Sequence, residues 1–387
     1  MQSVQTYLTL SPNCSLRVLE TPCIYDRGND ELYELDRPAG AFVARLPLPL
    51  DDPEVDRADA DFLNYCYEEG LFSHVSEYAP RKRASQSLIP SLRYLLLHIT
   101  TRCNLTCAHC FLDDVEPLDL PLEQLVRVME EFDELQGLRL LVSGGEPFLH
   151  PRFWEINEFF ERFSFRTVIL SNGTALDDRQ TLDRLRAQEV QVSLDGIGSS
   201  HDMLRGPGTY QKALKGIENL IESGIDVSVA TMVHAGNLGD FDELERIVRN
   251  IGATEWNIDV PARAGRWRRA DSLAASPDGA SAVLGHGFGG GSHFSCDGDW
   301  ACGAHLCAVM ADGTICKCGF YADSPSGTLA DGLANGWSNV PRMRLGQLDC
   351  DCEIIEQCRG GCRYRAEMAG NRFGKDPVMC AGHKVPY

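Results

Sequence analysis

The sequence predicts an α/β protein built on a partial (β/α)6 TIM-like barrel, with a small N-terminal α+β domain and a C-terminal loop-rich domain dense in cysteines. Three observations favour this fold. In the middle of the chain, apolar strand patterns alternate with amphipathic helical patterns. The six units found there are fewer than a closed TIM barrel has. Ten of the 16 cysteines fall within residues 296–380, where helix and strand patterns are weak.

The N-terminal domain is expected over residues 1–85. Glu31–Leu46 reads as a strand followed by a helix, and Asp59–Phe72 as an amphipathic helix that stops at Gly70. The basic residues 81–83 indicate a linker. The remaining expected divisions are a barrel over 93–265, a bridge over 266–295 and the cysteine-rich domain over 296–387.

Six strands are predicted in the barrel region, with helices between them. The strands are Tyr94–Ile99, Leu138–Val142, Thr167–Leu170, Val190–Leu194, Val227–Val233 and Trp256–Val260. The clearest helices are Leu122–Leu135 and Tyr210–Ser223. Alternation of this kind is typical of a parallel sheet, whose chemistry lies at the carboxyl ends of the strands.

Unusual residues follow four of these strands in succession. Cys103 follows the first, Gly144–Pro147 the second, Ser171–Gly173 the third and Asp195–Gly196 the fourth. Glycines at strand ends can be simple turn residues. Because all four groups fall at the same edge of a parallel sheet, a shared ligand site is the favoured interpretation.

Composition limits the class of function. The formal charge is −20, which disfavours a nucleic-acid partner and makes a basic peptide easier to accept. No apolar stretch is long enough for a membrane span, and the first residues do not form a secretory signal. We therefore expect a cytoplasmic protein whose cysteines serve metal or redox chemistry rather than disulfides.

The cysteine motif of the first strand end has the spacing of an iron–sulfur site. Cys103, Cys107 and Cys110 supply three soft thiolates from one loop, whereas a closed cluster usually takes four. One iron would then remain open to a ligand. A zinc knuckle and free thiols are the alternatives, although zinc structural sites need four closed ligands.

Here the sequence resembles the radical S-adenosylmethionine (SAM) superfamily over roughly Arg93 to Pro261. The resemblance implies a [4Fe–4S] cluster on the three cysteines and a SAM molecule on its open iron, cleaved to a 5′-deoxyadenosyl radical that takes hydrogen from a substrate. It also implies contacts to the SAM amino group, ribose, carboxylate and adenine. The implied SAM-binding residues are Gly144, Gly145, Glu146 and Pro147 (amino group), Ser171 and Asn172 (ribose), Ser193 and Asp195, Arg205 (carboxylate) and His109 (adenine).

The C-terminal cysteines closely resemble a SPASM domain, which implies two auxiliary [4Fe–4S] clusters and three clusters in all. The implied inner ligands are Cys296, Cys302, Cys318 and Cys362, and the outer ones Cys350, Cys352, Cys358 and Cys380. Cys350-Asp-Cys352 departs from the usual C-x2-C, which puts the outer cluster in question. Two extra cysteines, Cys307 and Cys316, are either substitute ligands or buried thiols, the latter being favoured. Zinc sites remain the alternative interpretation for all of the C-terminal cysteines.

The N-terminal part faintly resembles peptide-recognition elements, small winged-helix-like domains that bind a leader peptide as an added strand. Together with the other resemblances, this one implies a radical SAM enzyme that forms a thioether or C–C bond in a ribosomally made peptide. Its electron donor would be flavodoxin- or ferredoxin-like. A plain capping domain is the other interpretation of this part. The alternative functions are synthesis of a haem- or quinone-type cofactor and maturation of a folded protein such as a sulfatase. Asp297, Asp299 and Tyr321 are candidate general bases.

Overall fold

The computed structural model describes residues 5–80, 84–113, 115–290, 298–301 and 303–387. Its N-terminal domain contains two small antiparallel sheets, β5-β1-β6 and β2-β3-β4, packed with three helices. The elements are β1 (Tyr7–Leu10), β2 (Cys14–Val18), β3 (Pro22–Asp26), β4 (Glu31–Glu34), α1 (Arg37–Val43), β5 (Leu48–Pro49), α2 (Pro53–Arg57), α3 (Ala60–Glu68) and β6 (Phe72–Val75).

Aspartates start the three N-terminal helices. The side chains of Asp36, Asp52 and Asp59 each accept a hydrogen bond from a main-chain N–H of the first turn. The strand and helix predicted within Glu31–Leu46 are confirmed as β4 and α1. The helix predicted over Asp59–Phe72 is shorter, because Gly70 turns the chain at φ +68° and β6 begins at Phe72. The predicted linker at 81–83 lies outside the described residues.

The six predicted strands of the middle region are all present and parallel, in the order β12-β11-β10-β9-β8-β7. The elements are β7 (Tyr94–Thr100), α4 (Leu122–Glu134), β8 (Arg139–Gly144), α5 (Phe153–Asn157), β9 (Arg166–Ser171), α6 (Arg179–Leu182), β10 (Glu189–Ser193), α7 (Ser199–Arg205), α8 (Thr209–Glu222), β11 (Asp226–Met232), α9 (Phe241–Ile251) and β12 (Glu255–Asp259). This confirms a large parallel sheet.

Strand β7 shows how the sheet divides its side chains. Leu95, Leu97 and Ile99 join the main apolar core together with residues of α4. Because side chains alternate along a strand, His98 and Thr100 face the opposite side. That side carries the polar groups from which a ligand site can be built.

The C-terminal part continues the same sheet. Strand β13 pairs in parallel with β7, and β14 and β15 follow antiparallel, so β12 and β15 are the sheet's edges. The elements are α10 (Pro277–Val283), β13 (Leu306–Val309), β14 (Thr314–Cys316), β15 (Gly327–Thr328), α11 (Leu333–Asn339), α12 (Ile355–Cys358), α13 (Arg363–Met368) and α14 (Pro377–Gly382). The sequence patterns did not predict β13–β15.

Among the described helices, none has the length and apolar character needed to cross a bilayer.

Buried charges hold the N-terminal domain against the start of the parallel strands. Arg139 Nη2 lies 2.7 Å from Glu189 Oε2, and Arg166 Nε lies 3.1 Å from the same oxygen. Asp30, from the turn between β3 and β4, reaches Arg139 Nε at 3.1 Å. Arg166 Nη1 donates to the main-chain oxygen of Gly28 at 2.9 Å. The β3–β4 turn is thus part of the buried charged layer at the start of the parallel strands.

Candidate active site

The loop after β7 carries the three cysteines of the first motif. It is held from two sides: Ala108 N donates to Leu204 O at 2.8 Å, and Arg266 donates from Nε to Cys107 O and from N to Cys110 O, both at 2.9 Å. Sequence reasoning missed Arg266, since an arginine in a basic run carries no signal of such a role. These main-chain bonds fix the loop while leaving the thiols free to bind.

The three thiols share one electrostatic environment. Burial raises the pKa of Cys107 to about 11, against the opposing effect of Arg205, and Cys103 and Cys110 raise it further. Burial likewise raises the pKa of the Cys103 thiol. Thiolates therefore need a cationic partner here, and a metal centre supplies one. Among the described residues, no group of three or more His, Cys, Asp and Glu side chains is placed closely enough to hold a single metal ion.

Gly144 and Gly145 bring the end of β8 against the end of β7. A Cβ on Gly144 would collide with the main chain of Thr100, and one on Gly145 with that of Arg102. Gly144 also has φ +149°, which other residues rarely adopt. Gly145 N and Glu146 N donate to Thr100 O and Arg102 O at 2.9 and 2.7 Å. The glycines are thus required for a close approach of two strand ends beside the cysteine loop.

The Glu146 carboxylate is fully buried and belongs to the neighbouring strand end. It accepts hydrogen bonds from Ser171 Oγ at 3.0 Å and from Asn172 N at 2.9 Å. Burial raises its pKa to about 7. The side chain therefore positions the end of β9.

Asn172 connects the end of β9 to the cysteine loop. Its Nδ2 donates to Asn104 Oδ1 at 2.8 Å and lies 4.0 Å from Cys103 Sγ. Asn104 in turn donates to Thr174 Oγ1 at 2.9 Å. The first and third motifs are therefore in direct contact, as their placement at successive strand ends predicts.

Asp195, in the fourth motif, forms a buried ion pair with Arg205. Arg205 Nε donates to Asp195 Oδ2, and Arg205 Nη2 lies 3.3 Å from His109 Nε2. Although burial opposes it, the charge of Arg205 holds the pKa of Asp195 below its usual value. His201 Nδ1 accepts from Asp195 N at 3.0 Å. The predicted residues His109, Asp195 and Arg205 are thus brought together.

Two buried ring nitrogens in this group have no hydrogen-bond partner among the residues that the structure describes. They are Nδ1 of His109 and Nε2 of His201. Burial lowers the pKa of His109 to about 3, so the ring is neutral and can face an aromatic or polar ligand without a charge penalty. Unpaired buried polar atoms, three adjacent thiols and a glycine cradle together fit a cluster with a polar cofactor.

The four cysteines implied for the outer auxiliary cluster line one pocket: Cys350, Cys352, Cys358 and Cys380. Lys375 and Asp376 complete its polar lining. Cys380 lies within electrostatic range of Cys350 and Cys358. The short Cys350-Asp-Cys352 spacing therefore still delivers both thiols to a common space.

The inner set is described only in part. Cys318 and Cys362 lie within electrostatic range of each other, whereas Cys296 and Cys302 lie outside the described residues. Cys307 and Cys316 are fully buried on β13 and β14 among apolar side chains. This burial is typical of structural thiols.

The candidate general bases differ in their surroundings. Asp297 lies outside the described residues. Asp299 is exposed, with Arg344 3.7 Å away. Tyr321 is half-buried, and its hydroxyl donates a hydrogen bond to the carboxylate oxygen Oε2 of Glu367 at 3.0 Å.

A groove of about 870 Å³ runs across the N-terminal domain between β4, α1 and α3. Strand β4 forms the outer edge of its sheet, and no other described strand pairs with its outer main-chain groups. The aromatic side chains of the groove are Tyr33, Phe42, Phe62 and Tyr65. An edge strand beside a groove that contains aromatic side chains is a suitable place for an added strand.

Residues 97–251 match the family model of the Radical SAM superfamily. The chain is 27% identical to the mycofactocin maturase MftC of Mycobacterium ulcerans over 331 residues, which are 76% of this chain and 89% of MftC. It is also 27% identical to the AdoMet-dependent heme synthase of Oleidesulfovibrio alaskensis over 184 residues. That alignment covers 47% of the heme synthase and 46% of this chain.

The fold is similar to that of Streptococcus suis SuiB bound to the precursor peptide SuiA. The TM-score is 0.69 at 14% identity, and the alignment covers 95% of this chain and 98% of SuiB. The match therefore includes the N-terminal and C-terminal parts as well as the parallel sheet. Residues 97–251 of this chain form a radical SAM superfamily domain, and the chain is an enzyme.

Proposed function

We propose that this enzyme cleaves SAM reductively and uses the resulting radical to modify a ribosomally made peptide, forming a thioether or C–C bond. The observation that carries the proposal is the combination, in one chain, of the strand-end site and an N-terminal groove with an open β edge. Similarity to MftC, a maturase by name, over most of both chains supports the same class of substrate.

Cys103, Cys107 and Cys110 would hold a [4Fe–4S] cluster, which with SAM supplies a 5′-deoxyadenosyl radical when bound. The chain's own residues position that chemistry. Glu146 fixes the end of β9 and Asp195 orients Arg205. Arg205 keeps further N–H groups to offer a carboxylate. The strand-end residues Glu146, Ser171 and Asp195 are buried, which limits the water around their polar groups.

The N-terminal groove is proposed to bind a leader segment of the peptide as a strand added to β4. Main-chain bonding to the β4 edge would give affinity, and the groove's aromatic side chains would select apolar leader residues. The groove lining also carries more acidic than basic side chains. The acidic ones are Glu34, Asp36, Glu54 and Asp59, and the basic ones are Arg45 and Arg57. Basic residues of the leader are therefore easily accommodated.

The C-terminal cysteines are proposed to hold two auxiliary [4Fe–4S] clusters. The convergence of the four outer cysteines on one pocket supports the outer one. The inner one would use Cys318 and Cys362 together with Cys296 and Cys302. A flavodoxin- or ferredoxin-like protein is the proposed electron donor.

The first experiment measures 5′-deoxyadenosine formed from SAM by the anaerobically reduced enzyme. Wild type should form it, and Cys107→Ala should not, because two thiolates cannot retain the cluster. Cys14→Ala, at a buried cysteine of the N-terminal domain without an assigned role, is the matched control and should stay active. Wild type that forms none would refute the proposal.

Peptide recognition is tested separately, with peptides from short reading frames beside the gene. A Tyr65→Glu substitution in the groove should weaken peptide binding at least tenfold, while 5′-deoxyadenosine formation without peptide is retained. Tyr78→Glu, at an exposed tyrosine of the same domain outside the groove lining, is the control. Equal binding by both variants would contradict leader recognition at this groove.

Cofactor synthesis is the second candidate function, favoured by the match to a heme synthase over slightly less than half of each chain. Tight binding of a porphyrin precursor without peptide binding would favour it over peptide modification.

A further inference from the structure

A cavity of about 430 Å³ lies beside the first cysteine motif, and the proposed SAM contacts do not use it. Phe111, which directly follows Cys110, lines one side of it. Gly319, which directly follows Cys318 of the C-terminal set, lines another. Pockets that bind small ligands have volumes of about 300–1,000 Å³. This cavity therefore has room for one or two side chains of a peptide between the two cysteine loops.

Close packing holds one wall of the cavity in place. A Cβ on Gly265 would collide with Cys110 O and the main chain of Phe111, and one on Gly319 would meet the Phe111 ring at 2.8 Å. Phe320 packs against Phe111 with 5.6 Å between the ring centroids. Phe111 is thus held by both glycines and a second aromatic ring, so this wall is preformed.

Apolar side chains lie on both the buried and the exposed parts of the lining. Ala264, Met310 and Ala311 are buried, whereas Val115 and Leu118 are 51% and 44% exposed. Large apolar side chains that stay in water beside a cavity are typical of a binding surface. An apolar side chain of a ligand would remove them from water and gain hydrophobic free energy.

The charged part of the lining is predominantly acidic. Its exposed members are the carboxylates of Glu116, Asp312 and Asp323 and the guanidinium of Arg268. The fourth carboxylate of the lining, that of the half-buried Asp113, pairs with Arg269 Nη2 at 2.6 Å. The exposed charges therefore attract a cation and repel a carboxylate.

A metal ion does not suit these carboxylates. Among the residues that the structure describes, no group of three or more His, Cys, Asp and Glu side chains is placed closely enough to hold one. The hydroxyls of Thr100 and Thr101, which also line the cavity, are engaged with Asp119 Oδ1 at 2.6 Å and Glu116 O at 2.9 Å. An ammonium or guanidinium on a flexible side chain can instead interact with carboxylates that come from separate segments.

We infer that the cavity binds a segment of the peptide substrate in which an apolar residue stands next to a lysine or arginine. The apolar side chain packs beside Met310 and Leu118, and the cation lies among the exposed carboxylates. This deepens the proposed peptide-modifying function and rests on it, because it assigns the part of the peptide that lies between the two cysteine loops.

The first experiment measures binding of three probes to the cluster-loaded, SAM-bound enzyme by equilibrium dialysis at low ionic strength. The probes are N-acetyl-leucyl-lysinamide, N-acetyl-leucyl-glutaminamide and N-acetyl-glycyl-lysinamide. Wild type should bind the leucyl-lysine probe about three- to tenfold more tightly than the leucyl-glutamine probe, the value of exposed ion pairs. It should bind the leucyl-lysine probe about five- to tenfold more tightly than the glycyl-lysine probe, because the leucine covers apolar surface.

The double variant Glu116→Gln/Asp323→Asn tests where the charge is recognised. Asp312 is left in place because its Oδ1 accepts a hydrogen bond from Thr314 N at 2.8 Å and so supports the β13–β14 turn. The double variant should reduce the preference for lysine to about twofold or less and keep its affinity for the leucyl-glutamine probe. The control Glu158→Gln/Asp177→Asn removes the same charge from exposed carboxylates outside the cavity lining and should keep the preference.

Leu118→Ser tests where the apolar side chain packs. It should weaken binding of both leucyl probes about threefold and leave the glycyl-lysine probe unchanged. Leu88→Ser is the control, because Leu88 is 42% exposed and lies outside the cavity lining. It should change none of the three affinities.

Three outcomes in wild type or its variants would overturn the inference. They are equal binding of the lysine and glutamine probes by wild type, a lysine preference that persists in Glu116→Gln/Asp323→Asn, and no uptake of any probe at millimolar concentration. Unchanged binding of the leucyl probes by Leu118→Ser would also overturn it. Formation of 5′-deoxyadenosine without peptide is measured in parallel on wild type. Its absence would refute the proposed function, whereas the probe preferences report on the cavity alone, so the two failures are distinguishable.

Discussion

Asp376 connects the two C-terminal cysteine sets, and its replacement by asparagine should destabilise both. The carboxylate is 1% exposed and accepts hydrogen bonds from Cys362 N at 2.7 Å and Val378 N at 3.1 Å. Arg365 Nη2 donates to it at 2.9 Å. Cys362 belongs to the inner set, and the helix that Asp376 caps, α14, carries Cys380 of the outer set.

The size of the effect follows from these contacts. Asparagine keeps one acceptor oxygen, so the variant loses the ion pair and one of the two main-chain bonds. Breaking a buried ion pair costs about 3–5 kcal/mol. The lower end of this range applies, because Arg365 also contacts Asp259 Oδ1 at 3.2 Å and would keep that carboxylate as a partner in the variant. We expect Asp376→Asn to lower the free energy of unfolding by about 3 kcal/mol and to reduce the iron bound per chain.

The assays are urea unfolding and iron counting after anaerobic reconstitution. Asp349→Asn is the control, because Asp349 is an exposed carboxylate of the same domain that accepts a hydrogen bond from Asn371 Nδ2 at 2.7 Å. It should change stability by no more than about 0.5 kcal/mol. If Asp376→Asn matches that control in stability and iron content, the carboxylate does not organise the cysteine sets.

Three further predictions concern the two cluster regions. Cys352→Ser should lower bound iron by about one cluster, whereas Cys316→Ser, at a fully buried thiol, should leave it unchanged; equal loss would contradict the distinction. Because the fold raises the pKa of Glu146 from 4.5 to about 7, the folded state holds the proton more tightly, and stability should fall by about 3 kcal/mol as pH rises from 4.5 to 7. Glu146→Gln should remove that slope in urea unfolding, and an unchanged slope would assign it to another group. Arg266→Ala should loosen the loop through Cys107 O and lower cluster retention on the first motif, measured by iron loss over time; wild-type retention would refute this.

The parallel sheet was predictable because its signals are local. Apolar runs such as Tyr94–Ile99 and Val227–Val233 are set off by glycine or polar residues, and these two strands were found within one residue of their predicted bounds. Cysteine spacing is equally local, so the first motif is recognisable from the amino-acid sequence alone. That the end of β9 contacts this motif followed from a general rule of parallel sheets.

What the sequence could not reveal depends on long-range burial. Arg139, Arg166 and Glu189 begin three strands, where charges normally mark an exposed turn, yet here they are buried together. Strand β13 was missed because Leu306–Val309 is only four residues long and is stabilised by pairing with β7, more than 200 residues earlier.

The buried base of the sheet limits how leader recognition can be studied. Strand β4, which borders the proposed leader groove, begins one residue after Asp30, whose carboxylate pairs with Arg139. Deleting the N-terminal domain would remove Asp30 and the Gly28 carbonyl that Arg166 contacts, and would leave both buried guanidinium groups short of partners. A truncated chain would therefore lose activity for reasons of stability, whatever the groove binds. Point substitutions on the groove surface, such as Tyr65→Glu, leave these ion pairs in place and report on recognition alone.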